Sequence, residues 1–132
     1  ILDLLRTLQD EYGMGVLFIT HDLGVVAELA HRVCVMYAGR VAEKARTDDL
    51  FAEPLHPYTV GLLKSLPKLT GERERLYTVS GQVPNPVAFP TGCKFHPRCP
   101  RAMDVCRETE PPLEEKRPGR WCACHDVPKE TP

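Results

Sequence analysis

The sequence predicts an α/β fold, in the form of a parallel-sheet edge with its helices, followed by an irregular tail rich in proline and cysteine. Apolar residues at helical spacing open the chain and give way to a short continuous apolar run, and that pair of patterns then repeats. Ten of the 13 prolines and five of the six cysteines lie in the 49 residues from Pro84 to Pro132. The 132 residues are 42% hydrophobic, enough for one domain and too little for two.

Ile1, Leu4, Leu5, Leu8 and Tyr12 fall on one helical face. Gly13 stands where a left-handed residue would end that helix. Val16-Leu17-Phe18-Ile19 reads as a strand buried on both faces of a parallel sheet. After the polar break Thr20-His21-Asp22, a second amphipathic helix follows through Leu23, Val26, Ala27, Leu29 and Ala30. Val33 to Tyr37 is the next strand, with Cys34 read as an inert core residue, and Gly39-Arg40 turns into Val41-Ala42-Glu43. Two short helices are expected, Thr47 to Ala52 with Thr47 as N-cap and Pro57 to Leu66 with proline in its first turn.

From Leu76 onward the expectation is loop, with one short helix near Arg101 to Cys106. So many prolines disfavour a long helix or a central strand. Such a segment needs another source of order, and its cysteines are the candidates. The divisions are 1–53, 54–83 (a helical extension and linker) and 84–132, with the change of composition between Thr70 and Gly92. No internal repeat is visible. The chain starts in mid-helix without Met, and is expected to be a piece of a longer protein.

Net charge is −1, with 17 Lys+Arg against 18 Asp+Glu, which leaves no footprint for nucleic acid or a polybasic membrane anchor. No apolar run approaches the roughly 20 residues of a membrane span, and no signal peptide opens the chain.

Three constellations bear on chemistry. His21 stands at the C-terminal end of a predicted parallel strand, the edge at which open α/β sheets bind ligands. Its bland reading is a capping or packing residue, with Asp22 as the N-cap of the next helix. Ile19-Thr20-His21-Asp22-Leu23, Ala30-His31-Arg32-Val33 and Met36-Tyr37-Ala38-Gly39-Arg40-Val41-Ala42-Glu43 resemble, without gaps over residues 1–53, an ABC-transporter ATPase just after its D-loop. The resemblance implies the C-terminal part of a P-loop ABC ATPase domain. It also implies that His21 is the switch histidine, which contacts the γ-phosphate of ATP and positions the attacking water. The phosphate-binding loop, the Walker-B acids and the signature Leu-Ser-Gly-Gly-Gln are absent from these residues, and Ser80-Gly81-Gln82 is a decoy. The fragment alone is therefore expected to be inactive.

Pro54-Leu55-His56-Pro57-Tyr58-Thr59, with Leu62, Leu63 and Leu66 beyond it, is structurally a Pro-initiated helix covering a sheet edge. The same string is similar to the extension that marks ATP-binding subunits of oligopeptide, dipeptide and nickel importers.

The tail carries Cys93, Cys99, Cys106 and Cys124 at C-x5-C-x6-C-x17-C, with Cys122 as alternative fourth ligand. The spacing is unlike that of common zinc ribbons. Disulfides suit an odd number of cysteines poorly. Four thiolates, or three with His96 or His125, would hold zinc; four thiolates would also hold an iron–sulfur cluster. The importer resemblance extends through Gly92 to Cys106, Pro111-Pro112-Leu113 and Ala123-Cys124-His125, and it implies a 4Fe–4S cluster on Cys93, Cys99, Cys106 and Cys124. Phe95, Pro97, Pro112 and Trp121 are expected to pack around it.

For the longer subunit the resemblance implies ATP with Mg²⁺ and a place on the cytoplasmic face of the membrane. Its implied partners are a second ATPase subunit, two membrane-spanning permeases and, indirectly, an extracytoplasmic peptide-binding protein. The other reading is a stand-alone regulatory or structural metal-binding module without catalysis.

Overall fold

A computed structural model describes residues 1–66 and 78–130. The stretch of the 54–83 linker from 67 to 77 lies outside the described residues. Helix α1 (Leu2–Tyr12) ends at Gly13, whose φ of 60° is the left-handed stop expected there. Its link to helix α2 (Leu23–Leu29) is Arg6, which pairs with the Glu28 carboxylate at 3.2 Å and donates to the Glu28 carbonyl at 2.8 Å. No residue of α1 is buried.

Strands β1 (Arg32–Tyr37) and β2 (Arg40–Arg46) form a hairpin. Its turn residues Ala38 and Gly39 have φ of 48° and 75°, the paired positive values that suit the twist of a two-residue hairpin. Helices α3 (Thr47–Ala52) and α4 (Pro57–Lys64) follow, and their apolar side chains cover one face of the hairpin. Val35, Ala45 and Leu50 are buried there against Phe51, Tyr58, Leu62 and Leu63. Beyond the linker come a 3-10 turn (His96–Arg98), helix α5 (Val105–Glu108), and strands β3 (Glu114–Arg117) and β4 (Arg120–Cys122). The described strands make one antiparallel sheet in the order β1-β2-β4-β3.

Several expectations are corrected. The described sheet is antiparallel where a parallel edge is expected, because two-residue turns can join only antiparallel strands. Val16–Ile19 forms no strand; Leu17 and Ile19 are 90% and 91% exposed, and no described strand runs beside them to supply hydrogen bonds. Cys34 is exposed, not core: β1 alternates, so Val35 and Tyr37 point inward and Cys34 outward. Thr47 does not cap α3, since its hydroxyl donates to the Ala30 carbonyl and Arg46 occupies the cap position. The short tail helix begins four residues later than expected.

The largest correction concerns the tail. It contributes β4, a central strand, lying between β2 and β3. Proline allows this because β4 and its flanks from Gly119 to Val127 contain none, while Pro118 and Gly119 (φ 72°) make the β3–β4 turn. Order also comes from arginines. Arg98 donates to the carbonyls of Val79 and Ser80 at 2.9 and 3.0 Å, Arg101 pairs with Asp126 at 3.0 Å, and buried Arg120 holds the Glu53 carbonyl and carboxylate. Phe95, 3% exposed, inserts beside Tyr37 and Tyr58 with ring centroids 5.1 and 5.5 Å away. Trp121, Pro97 and Pro112 lie instead at the surface.

Candidate functional site

The first expected site residue, His21, is exposed just before α2. Asp22 beside it is an N-cap, its carboxylate accepting from the Gly24 and Val25 amides at 2.9 and 3.2 Å, while its own amide donates to the Thr20 hydroxyl at 3.0 Å. These bonds fix the backbone on either side of His21.

His56 opens the second constellation and is 3% exposed. Its Nδ1 accepts from the Tyr58 amide at 3.0 Å, so the imidazole caps α4, and Pro57 occupies the first turn without wasting a donor. A further bond joins the ring to the Ala123 backbone in the tail. Burial, with the Arg101 guanidinium nearby, lowers its pKa to about 4 despite that bond, which keeps the imidazole neutral. Packing is therefore its role in this geometry.

Sequence reasoning missed the residue beneath it. Glu43 is fully buried, and its two carboxylate oxygens accept from the Leu55 and His56 amides, each at 2.9 Å. Only the strand position of Glu43 was legible. A carboxylate aimed at backbone twelve residues downstream leaves no local signal.

The cysteines gather around the junction of the hairpin and the tail. Cys93 donates its amide to the Cys106 carbonyl at 2.9 Å. That approach depends on Gly92 (φ 63°), where a β-carbon would lie 2.5 Å from the Cys106 carbonyl oxygen. Burial raises the thiol pKa of Cys93, Cys99 and Cys124. Smaller mutual effects link Cys93 with Cys106, Cys99 with Cys93 and Cys106, and Cys124 with Cys99. Cys122 is also raised by burial, then by Glu43 and Cys124; it is fully buried on β4 in an apolar cluster with Leu55, Cys124 and Val127.

Among the described residues, no three His, Cys, Asp or Glu side chains are gathered to hold a metal ion. That bears equally on zinc and on an iron–sulfur cluster. One ring nitrogen of His96 bonds the Cys93 carbonyl at 2.9 Å and one of His125 bonds the Thr109 carbonyl at 3.0 Å, bonds that a metal-ligating imidazole can also make. The electrostatic links among the thiols are pairwise, and they include one between Cys122 and Cys124.

Residues 42–106 match the family described as the C-terminal region of oligopeptide/dipeptide transporters. The chain is 51% identical to the oligopeptide transport ATP-binding protein AppD of Bacillus subtilis, over 94% of the chain and 38% of that protein. It is 47% identical to the oligopeptide transport ATP-binding protein OppD of Salmonella typhimurium, over 94% of the chain and 37% of that protein. Against a probable peptide ABC transporter ATP-binding protein of Sinorhizobium fredii the identity is 51%, over 95% and 36%. The chain thus spans little more than a third of the length of these curated relatives. Just under half of the chain thus resembles the C-terminal region of oligopeptide/dipeptide transporters, and the chain as a whole is similar to one part of oligopeptide transport ATP-binding proteins.

Proposed function

We propose that the chain serves as part of an ABC importer's ATP-binding subunit, coupling ATP hydrolysis to uptake of peptides across the cytoplasmic membrane. The observation that carries this is similarity over 94% of the chain to oligopeptide transport ATP-binding proteins. That likeness extends through the exposed region of His21, which a stand-alone metal module has no need of. His21 is the γ-phosphate contact in this reading, and Mg²⁺ and the phosphate-binding loop belong to the longer subunit. Phosphoryl transfer depends on positioned charge more than on covalent chemistry, and His21 sits between Thr20 and the capping Asp22, whose bonds hold the backbone at that point.

The subunit would act peripherally on the cytoplasmic face, with a second ATP-binding subunit, two permeases and indirectly a peptide-binding protein. No helix among the described residues is long and apolar enough to cross a membrane.

Cys93, Cys99, Cys106 and Cys124 are the proposed ligands of a 4Fe–4S cluster. Supporting this are the number and softness of the donors and their mutual electrostatic reach. Such a cluster would supply cross-linking of the tail. The thiols must lose protons to bind it, and burial, by raising their pKa, works against that step.

The test of the main reading is His21→Ala in the full-length subunit, with hydrolysis and equilibrium nucleotide binding measured side by side. Turnover should fall by orders of magnitude while ATP affinity is largely kept, since the histidine contact strengthens as charge rearranges. Normal turnover would reduce His21 to a structural residue.

A further inference from the structure

A cavity of about 500 Å³ lies between the β1–β2 hairpin and the tail, within the range of small-molecule sites. Neither the ATPase reading nor the proposed cluster uses it. Of the four proposed cluster ligands only Cys93 reaches its wall.

The interior is apolar. Tyr37, Ala42 and Phe95, each no more than 7% exposed, form the back, and His56 shows it a ring whose Nδ1 and backbone bonds are already satisfied. The opposite wall is Pro111-Pro112-Leu113, and two consecutive prolines offer no backbone N–H.

Polar groups stand at the mouth and are unbalanced. Glu110 pairs with Arg40 Nε at 2.9 Å and with Lys94 Nζ at 3.5 Å, so one carboxylate serves two cations. Lys94, only 19% exposed, spends a second donor on the Pro90 carbonyl at 3.0 Å. An ammonium has three donors and a guanidinium five, so both side chains keep donors for another acceptor. A net positive, donor-rich mouth over an apolar interior repels cations and favours a carboxylate over a neutral amide, which accepts only uncharged hydrogen bonds there. We propose that this cavity binds a small molecule that joins one carboxylate to an apolar body of about one aromatic side chain. The carboxylate would complete the Arg40–Glu110–Lys94 network, and the body would fill the space before Tyr37 and Phe95. This holds independently of the importer reading.

The experiment is calorimetric titration of the full chain with three probes: N-acetyl-L-phenylalanine, its uncharged amide, and acetate. The acid should bind about tenfold or more tighter than either of the others, the effect of one charge-assisted hydrogen bond at a partly exposed mouth. Arg40→Gln, at a side chain 67% exposed, should weaken the acid by a similar factor and leave the amide unchanged. Leu113→Ala, on the apolar wall, should weaken acid and amide alike. Circular dichroism confirms that each variant is folded. Equal binding of acid and amide, indifference of the acid to Arg40→Gln, or no saturation by the acid at millimolar concentration would each overturn the proposal.

Discussion

Glu43 on β2 accepts the His56 amide at 2.9 Å, and through its other oxygen the Leu55 amide, so a fully buried carboxylate anchors the turn that launches α4. It does the work of a neighbouring strand's carbonyls where no described strand lies alongside. Removing it orphans two buried N–H groups. Glu43→Ala should therefore cost on the order of 3 kcal/mol or more, counting both unsatisfied donors. Glu43→Gln should cost less, because its amide keeps one acceptor oxygen. Urea denaturation with an unchanged m-value is the measurement, and a loss below that of an ordinary surface substitution would contradict the anchoring role.

His56 makes stability depend on pH. Its folded pKa of about 4 lies below the ordinary 6.5, so between those values the unfolded chain binds more protons than the folded one. Its contribution is complete above about pH 6.5 and is lost as the pH falls towards 4, a change on the order of 3 kcal/mol across the window. In His56→Asn the side-chain oxygen can still accept from the Tyr58 amide, but it cannot titrate. Thermal melts from pH 7 to 4 should show a steeper fall for the natural chain than for the variant. Parallel curves would show that His56 titrates as it does in the unfolded chain.

Gly92 sets the cysteine loop on the tail. Alanine there faces a left-handed φ, which costs about 1–3 kcal/mol for a residue with a side chain. It also meets the backbone of Cys106 and Arg107 at 2.5–2.9 Å, and neither of those can swing aside. Gly92→Ala should break the Cys93–Cys106 backbone bond, read as faster hydrogen exchange at the Cys93 amide. An unchanged exchange rate would mean the two segments are held together elsewhere.

Cys122 and Cys124 are two residues apart and share one buried apolar cluster. Cys122 pairs across the sheet with Glu43 and is in electrostatic reach of Cys124, whereas Cys124 is in reach of Cys99. Subunit purified without oxygen should carry about four irons per chain if the cluster forms. Cys124→Ser should lose most of that iron, while Cys122→Ser spares it. Loss in both, or in neither, would refute the assignment of the fourth ligand; stoichiometric zinc without iron would refute the cluster.

What the sequence by itself determined is local. Gly13 stops α1, Asp22 caps α2 and Pro57 starts α4, because each depends on backbone groups within a few residues; the hairpin turn was legible too, although it falls at Ala38-Gly39, one residue before the expected Gly39-Arg40. The cysteine pattern and the His-Pro-Tyr string were legible in the same way, as residue types at fixed spacing. Tertiary structure alone decided the rest. Within the continuous apolar run Val33 to Tyr37, sequence could not say which residues face inward; only packing under α3 and α4 turns Cys34 out. β4 reads as tail because its pairing partner, β2, lies nearly 80 residues earlier, and no local preference encodes that contact. The apolar run Val16–Ile19 makes the same point in reverse, for a strand is a relation between segments and its residues find no partner among those described. Glu43 and His56 join the two levels: His56 caps its helix by local chemistry, but it is buried and neutral only because the tail folds back over it.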